Sequence, residues 1–231
     1  KMSNIEAIVL LINSPGGSPV QSELISKKLT SLAVDNKGKK IPILSFCEDV
    51  AASGGYWLAL TGDEIFASNS SIIGSIGVIS SGFGFQDAIK KLGIERRIHS
   101  QGKNKSVLDP FTKTKAEDVQ LINTIQKDIH GSFIDFVKTR RKDKITVEDD
   151  EVFNGKFWSG REAVKLGLID NIGFYEEVLK KRYGENVVFK NIEGSKGFFR
   201  KKFAANLQIS AITALANDFM NEITVWSRYK L

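Results

Sequence analysis

Ser53 is the residue of this sequence best suited to covalent chemistry. It lies in residues 49–56, Asp-Val-Ala-Ala-Ser-Gly-Gly-Tyr, between an apolar run and a predicted buried helix. Small neighbours allow a substrate backbone to approach the hydroxyl, and a helix N-terminus supplies N–H groups and positive potential. The segment approximates the G-x-S-x-G turn of nucleophilic serines, with Ala51 in place of the first glycine. Ser53 also fits a simple helix N-cap, so both interpretations remain open on this segment alone.

A pair of glycines, Gly16 and Gly17, follows the first apolar run of the chain. Without a Cβ, glycine lets backbone N–H groups face a cavity, and such groups can hold the negative oxygen of a tetrahedral intermediate. Taken in isolation, the pair is explained more simply by a turn between a strand and the helix that begins after Ser18.

A nucleophilic serine needs a general base, and the sequence offers histidine or lysine. Neither His99 nor His130 has an obvious acidic partner nearby in sequence, which disfavours a Ser-His-Asp triad. A lysine serves as a base when burial or nearby positive charge keeps it neutral. Lys105 precedes Ser106 and an apolar pair, which suggests an inward side chain, whereas Lys103 lies among polar residues. From these residues alone, a solvated basic loop is the simpler interpretation.

The elements that must position these residues alternate between strands and helices in the first half of the chain. Strands are predicted at 7–12, 41–46, 64–67, 76–80 and 94–98, and helices after Ser18, at 53–60 and at 85–92. In the second half, helices are predicted at 116–142, 161–167, 174–183 and 198–226, with short extended segments at 168–169 and 187–189. This order predicts an α/β fold with a parallel sheet, crossover helices and a helical C-terminal portion.

The composition fits a globular chain and excludes several other classes. The 231 residues are 42% hydrophobic and 26% charged, and the single cysteine, Cys47, excludes an internal disulfide framework. One cysteine and two histidines make a zinc site of the usual kind improbable, and no Walker A or G-x-G-x-x-G pattern predicts a nucleotide cofactor. We therefore expect no metal and no cofactor. The sequence contains no run of about 18 apolar residues, so it predicts no membrane-spanning helix in this chain.

The net charge of +6 is concentrated in two regions. Residues 96–115 contain six Lys or Arg and one Asp, and residues 190–231 contain seven Lys or Arg and three acids. Positive charge around Lys105 would lower the pKa of its ammonium group, and a basic amphipathic C-terminal helix favours an anionic membrane surface. Neither feature requires a nucleic-acid partner.

Five segments, taken together and in order, resemble the signal peptide peptidase A family of serine proteases. They extend over about 165 residues and comprise 11–18, 49–56, 74–79, 102–111 and 157–170, the last containing Phe157, Ser159–Ala163 and Leu166–Asp170. Several ordered blocks are far more specific than any one motif.

The resemblance implies a Clp protease/crotonase-like fold and a Ser/Lys dyad. By this resemblance, Ser53 matches the nucleophile and Lys105 the general base. Gly16 and Gly17 match the oxyanion hole, with the Gly54 N–H as an alternative contributor. The chain has Lys105-Ser106 where the family more often has Lys-Asp, and this departure leaves Lys103 as an alternative base. Related Clp proteases carry a histidine about two dozen residues after their serine, and none is present around Val78.

Membership would imply an endopeptidase that degrades cleaved signal peptides and membrane proteins through an acyl-enzyme. A homo-oligomer is expected, with the dyad shared between protomers, at a membrane surface and on its outer face. We expect a protease domain over 1–190, preceded in the full protein by a further strand and a membrane anchor, and a basic amphipathic helix over 191–231. Two alternatives are a crotonase-type acyl-CoA enzyme and an inactive membrane-associated scaffold of the same fold.

Overall fold

The computed structural model describes residues 5–35 and 37–192 and divides the chain into two units, with a boundary after Tyr175. All strands of the described residues lie in the first unit. In chain order its elements are β1 (Ile8–Ser14), α1 (Pro19–Leu32), β2 (Ile43–Ala52), α2 (Gly54–Ala59), β3 (Glu64–Ala67), β4 (Ile72–Gly74), α3 (Gln86–Lys91), α4 (Ala116–Arg141), a 3₁₀ turn (Lys142–Lys144), α5 (Asp149–Val152), β5 (Phe157–Ser159), α6 (Gly160–Lys165) and β6 (Asn171–Ile172). The helix α7 (Tyr175–Tyr183) begins at the boundary, and all but its first residue belong to the second unit.

The long strand β2 is the centre of a six-stranded sheet. It pairs in parallel with β1 along one edge, and with β3 and then β4 along the other. β6 extends the sheet in parallel beyond β3, whereas β5 adds an antiparallel strand to β4. The first eight residues of β2 include only two exposed positions, as expected for a strand covered on both faces. Parallel strands have their C-terminal ends at the same edge of the sheet, so the turns that follow β1 and β2 lie next to each other.

The apolar core joins this sheet to α2 and α4. Tyr56, Ala59 and Leu60 from the region of α2 are completely buried, and so is Val137 from α4. The ring of Trp57 packs on Phe133 and Phe136 of α4 with centroids 5.1 and 4.7 Å apart. The short helix α2 is therefore held by its neighbours, since six residues have little helical stability of their own.

The predicted α/β class with a mainly parallel sheet is confirmed, and four local predictions are wrong. The strand expected at 76–80 lies earlier, at Ile72–Gly74, because Gly74 and Ser75 take positive φ values of 113° and 53° and end it. Residues 94–98 form no strand; their main chain is exposed in a segment with few core contacts. The extended pair expected at 168–169 is a turn that precedes the strand Asn171–Ile172. Residues 187–189 form no regular element.

Two further features of the sheet, the strand β5 and the full length of β2, were not predicted from the sequence. The antiparallel strand β5 was not predicted, because its three residues, Phe157–Ser159, fall within one short mixed segment. β2 continues six residues beyond the predicted end at 46, through the acidic pair Glu48 and Asp49, to Ala52. The helix predicted at 198–226, and with it most of the expected C-terminal segment 191–231, lies outside the described residues.

Candidate active site

Ser53 occupies a sharp turn between β2 and α2. Its φ and ψ angles are 51° and −121°, a conformation that a residue with a Cβ rarely adopts. The Ser53 N–H donates to the Gly74 carbonyl at 2.8 Å, and the Ser53 carbonyl accepts from the Trp57 N–H at 3.0 Å. The side chain stands at the N-cap position of α2 yet makes no capping hydrogen bond. Helix capping therefore does not account for this serine.

Backbone from the β1–α1 turn lies directly against Ser53. A Cβ placed on Gly16, whose φ is +115°, would lie 2.8 Å from the Ser53 Cβ and 2.9 Å from the Gly54 nitrogen. A Cβ on Gly54 would lie 3.2 Å from the Gly17 nitrogen and 2.6 Å from the Ser22 Oγ. The structure thus brings Ser53 together with all three predicted oxyanion glycines, and leaves no room for a Cβ on Gly16 or Gly54.

The three glycines differ in whether their N–H groups have a hydrogen-bond acceptor. The Gly16 N–H donates to the Ser14 Oγ at 3.2 Å. Within residues 5–35 and 37–192 we find no acceptor for the N–H of Gly17 or of Gly54. The Gly54 N–H is the first of α2 and has no intrahelical partner there. Gly17 and Gly54 are therefore the better candidates for holding an anionic oxygen, and Gly16 serves to keep the space clear.

Side-chain hydrogen bonds at the end of β1 fix the position of the glycine turn. The Asn13 amide donates to Asp49 Oδ2 at 2.9 Å and accepts from the Val50 N–H at 3.3 Å, which ties β1 to β2. The strand register shifts between Ile12, which pairs with Cys47, and Ser14, which pairs with Ala51, so the end of β1 lies beside the last residues of β2. A Cβ on Gly55 would lie 2.3 Å from the Ser14 carbonyl oxygen, so α2 packs against this turn with no room for a larger residue.

A small apolar pocket opens beside Ser53. Its volume is about 20 Å³, room for roughly one water molecule or one methyl group. The walls come from α1, α2, α4 and the segment after β4: Gly17, Pro19, Ser53, Gly54, Trp57, Gly77, Val78, Ile129 and Phe133. The sequence pattern missed the pocket residues of α4, because Ile129 and Phe133 belong to an apolar stripe that equally well describes core packing.

The two candidate lysines lie in an exposed segment. Lys105 and Lys103 are both exposed, and neither lines the pocket of Ser53. The Lys105 N–H donates to the Gly102 carbonyl at 3.2 Å, within a series of turns. The inward orientation suggested by the sequence around Lys105 is therefore not found in the single chain. Within the described chain, the structure does not bring Lys105 to Ser53.

Neither histidine is arranged as the base of a triad with Ser53. His130 Nε2 lies 3.1 Å from the Ile76 carbonyl oxygen and donates to it, because a carbonyl can only accept. His99 is exposed on the segment that follows α3. Over residues 5–35 and 37–192 there is no group of three or more His, Cys, Asp or Glu side chains arranged to hold a metal ion. In the same residues, no helix is long and apolar enough to cross a membrane.

A serine in a strained strand-to-helix turn, flanked by glycine N–H groups and an apolar pocket, defines the class of serine hydrolases. Within that class, the sequence pattern of peptidase family S49 matches residues 35–187. The chain therefore belongs to peptidase family S49, a family of serine peptidases that includes the signal peptide peptidases. The resemblance seen in the five sequence segments is confirmed.

Individual relatives support the same assignment. A protein of Enterococcus faecium, named provisionally as the signal peptide peptidase SppA, is 33% identical over 76% of this chain and 49% of its own length. Protease 4 of Haemophilus influenzae is 30% identical over 94% of this chain and 34% of its own length. The Na(+)/H(+) antiporter NhaA of Brucella abortus is 44% identical over 97% of this chain, but over only 31% of its own length. The chain thus spans about a third to a half of these relatives.

Proposed function

We propose that this chain is the catalytic part of a serine endopeptidase in which Ser53 is the nucleophile. The observation that carries the proposal is the strained Ser53 turn, which faces the N–H groups of Gly17 and Gly54 and a pocket free of charged side chains. The finer fold assignment, to the Clp protease/crotonase type, is supported by the junction of two parallel strand ends at the site. We also propose a protease domain over 1–190, which contains the residues 35–187 of the family match.

The reaction follows from the proposed roles of these groups. A neutral Lys105 amine accepts the Ser53 hydroxyl proton as the Oγ attacks the carbonyl carbon of a peptide bond. The carbonyl oxygen becomes negative and receives hydrogen bonds from the Gly17 and Gly54 N–H groups, each of which lowers the barrier by about 3 kcal/mol. The protonated lysine gives its proton to the leaving amine, and an acyl-enzyme remains. Water, deprotonated by the same lysine, then releases the acyl group and restores Ser53.

We propose that the lysine reaches the serine of a second copy of the chain. Residues 79–111 contain no fully buried residue, and they expose several large apolar side chains, including Ile79 (77%), Phe83 (79%) and Leu92 (72%). This segment, which we call the lysine arm, carries Lys105. Exposure of such an apolar segment to water is unfavourable, so the segment favours association with another protein surface. Docking on a neighbouring protomer would bury both the arm and the lysine, and burial lowers a lysine pKa.

The natural substrates are proposed to be cleaved signal peptides and segments of membrane proteins. A pocket of methyl size next to the nucleophile fits a small apolar side chain beside the bond that is cut. Apolar peptides of this kind arise at the membrane, and the basic residues of 96–115 and 190–231 suit an anionic lipid surface. We propose an active domain on the outer face of that membrane. The antiporter name is attached to a relative of which over two thirds lies outside the match, so it is not transferred.

Hydrolysis of a fluorogenic peptide with small apolar residues tests the nucleophile and the base. Ser53→Ala is expected to abolish turnover and acylation by a peptidyl inhibitor, whereas Ser31→Ala, on the exposed face of α1, is expected to retain both. Lys105→Ala is expected to abolish turnover and Lys103→Ala to retain it. Full activity of Ser53→Ala would overturn the assignment, and loss in Lys103→Ala alone would move the base to that residue.

A mixing experiment tests the shared dyad. Inactive Ser53→Ala and inactive Lys105→Ala chains, unfolded and refolded together, are expected to regain up to about a quarter of the wild-type activity by random assembly. Each chain refolded alone supplies the control. Oligomers that form but stay inactive would place both residues of the dyad in one chain.

Two alternative functions predict different outcomes in the same assays. A crotonase-type enzyme would bind an acyl-CoA and would use the oxyanion N–H groups without Ser53. An inactive scaffold would show neither acylation of Ser53 nor turnover. The strained serine favours the peptidase over both, since strain at a residue without a chemical role has no compensating use.

A further inference from the structure

His130 connects α4 to the wall of the Ser53 pocket. Its ring Nε2–H donates to the Ile76 carbonyl at 3.1 Å. Ile129, the residue before it, and Phe133, three residues after it, form the α4 side of the pocket. The histidine therefore links two parts of the pocket wall, because Gly77 and Val78, which follow Ile76 directly, also line the pocket.

His130 binds the segment formed by residues 74–78. One end of this segment contacts Ser53, and the other end lines the pocket of Ser53. At its start, the Gly74 carbonyl accepts the Ser53 N–H at 2.8 Å. At its end, Gly77 and Val78 line the pocket. Its backbone is strained, since Gly74 and Ser75 have φ values of 113° and 53°. Such a segment keeps its shape only when its surroundings hold it.

Beyond Gly74, three hydrogen bonds hold this segment in place. The Ser75 N–H donates to the Lys156 carbonyl at 2.7 Å, and the Gly155 N–H donates to the Ile76 carbonyl at 3.1 Å. The third is the bond from His130, and of the three it alone comes from a side chain and from α4. It is thus the hydrogen bond that links this segment to α4, in addition to the packing of Ile76 in the core, and Gly77 and Val78 line the pocket together with Ile129 and Phe133 of α4.

We propose that His130 is a positioning residue that keeps the pocket narrow, so that the enzyme selects substrates with a methyl-sized side chain beside the cleaved bond. The inference rests on the proposed function, because it concerns the pocket of the same nucleophile. Without the hydrogen bond, residues 77–78 are free to move away from α4, and a side chain as large as leucine gains access. Ser53 itself keeps its bond to Gly74, so turnover of the small substrate changes little.

The test compares two substitutions of similar size. His130→Gln places an amide N–H at the same number of bonds from Cα as Nε2, whereas His130→Leu fills the space without a donor. Neither leaves the Ile76 carbonyl without a partner, because the Gly155 N–H remains, so both variants are expected to fold. Two peptides are used that differ only in having Ala or Leu before the cleaved bond.

His130→Leu is expected to lower the ratio of kcat/KM for the Ala peptide to that for the Leu peptide about tenfold, mainly through KM of the Leu peptide. His130→Gln is expected to keep the wild-type ratio. Hydrogen exchange at Gly155, whose N–H donates to the same Ile76 carbonyl, should be faster in His130→Leu alone, a readout independent of turnover.

The outcomes separate this inference from the function on which it rests. A wild-type chain that cleaves neither peptide would overturn the proposed function. A wild-type chain that is active, with the same ratio and the same exchange rates in both variants, would overturn the role of His130. Equal changes in His130→Gln and His130→Leu would also overturn it, since the hydrogen bond would then not be the cause.

Discussion

At the residue scale, the space around Ser53 is limited by the backbone of Gly16. The glycine is needed twice, for a φ of +115° and for a clearance in which a Cβ would come within 2.8 Å of the serine. The sequence indicated that glycines follow the first strand, but it did not distinguish a turn from an oxyanion site. That distinction depends on how closely Gly16 and Gly17 approach Ser53 in the fold, because the two glycines are more than thirty positions from Ser53 in the chain.

Gly16→Ala is expected to lower the rate of Ser53 acylation by a peptidyl inhibitor more than a hundredfold, because the new Cβ displaces Ser53 or the Gly54 N–H. Removing one oxyanion donor alone has an effect of about this size. Gly38→Ala is the matched control: Gly38, in the loop between α1 and β2, also has a positive φ, +80°, but nothing lies within 4 Å of its added Cβ. The control should cost about 1 kcal/mol of stability and leave acylation unchanged. Equal acylation rates in the two variants would contradict a role for Gly16 at the site.

At the element scale, two consecutive arginines at the end of α4 hold the segments that pack against the Ser53 site. Arg140 donates to the carbonyls of Leu60, Thr61 and Gly62, which follow α2, at 2.6 to 3.1 Å. A cation at this end also interacts favourably with the dipole of α2. Arg141 is buried and donates to the Gly167 carbonyl at 2.7 Å and to Asp170 at 3.0 Å.

The turn that Arg141 contacts is the segment Leu166–Asp170, which carried part of the family resemblance. A Cβ on Gly167 would lie 1.6 Å from the Lys144 carbonyl oxygen, and the Leu168 carbonyl accepts the Tyr56 hydroxyl at 2.7 Å. Asp170 also accepts from the Ile65 N–H at 2.8 Å and from Lys144 at 2.6 Å. The motif is thus a support for α2 and β3, and none of its residues lines the pocket of Ser53.

Asp170→Asn is expected to lower the free energy of unfolding by about 3 kcal/mol at pH 7, because it leaves the buried Arg141 guanidinium without its counter-charge. Burial raises the pKa of Asp170, but hydrogen bonds from Arg141 and Lys144 outweigh it, so the folded-state pKa lies below its usual value. The stabilisation is therefore present above the unfolded-state pKa of about 3.9 and is lost as the pH falls through the lower folded-state pKa. Urea unfolding between pH 7 and 3 should show the difference between wild type and Asp170→Asn shrinking below about pH 4.

The control for this measurement is Glu162→Gln, which breaks an exposed ion pair with Lys165 at 2.9 Å. Its cost should be within about 0.5 kcal/mol. A cost for Asp170→Asn no greater than that of the control would contradict the support role of the Arg141 pair.

At the scale of the whole molecule, the sequence predicted the sheet class and the order of most elements but not the strand ends. Periodicity located β1 and α4, because a long apolar run and a long amphipathic pattern leave little choice, and it also located the short elements β3 and α3. It misplaced the strand near Gly74, where positive φ values at Gly74 and Ser75 interrupt an apolar run. It indicated Ser53 through small neighbours, but missed Ile129 and Phe133, because the same stripe of α4 packs the core and lines the pocket. The position of Lys105 relative to Ser53 depends on a second copy in our proposal, and no pattern within one chain specifies it.

Cys47 offers a measure of how the whole first unit unfolds. It is the only cysteine of the 231 residues, lies on the central strand β2 and is 4% exposed. Burial raises the pKa of its thiol to about 12, so at pH 8 the folded protein holds almost no thiolate. In the unfolded chain the pKa returns to about 8.5, and roughly a quarter of the thiol is ionised at pH 8. Since only the thiolate reacts, the rate of labelling by a maleimide should rise roughly a thousandfold on unfolding.

Labelling at pH 8 in increasing urea should therefore follow the loss of the far-ultraviolet circular dichroism signal, with the same midpoint. The physical reason is that Cys47 pairs in register with Ile12 of β1 and Ala67 of β3, so its exposure requires the centre of the sheet to separate. Glutathione added as an internal standard corrects for the effect of urea on the reagent, and Cys47→Ala confirms that no other group is labelled. Labelling that is complete well before the circular dichroism transition would show that β2 opens locally. The strand that carries Ser53 would then not be the rigid support that a strained nucleophile requires.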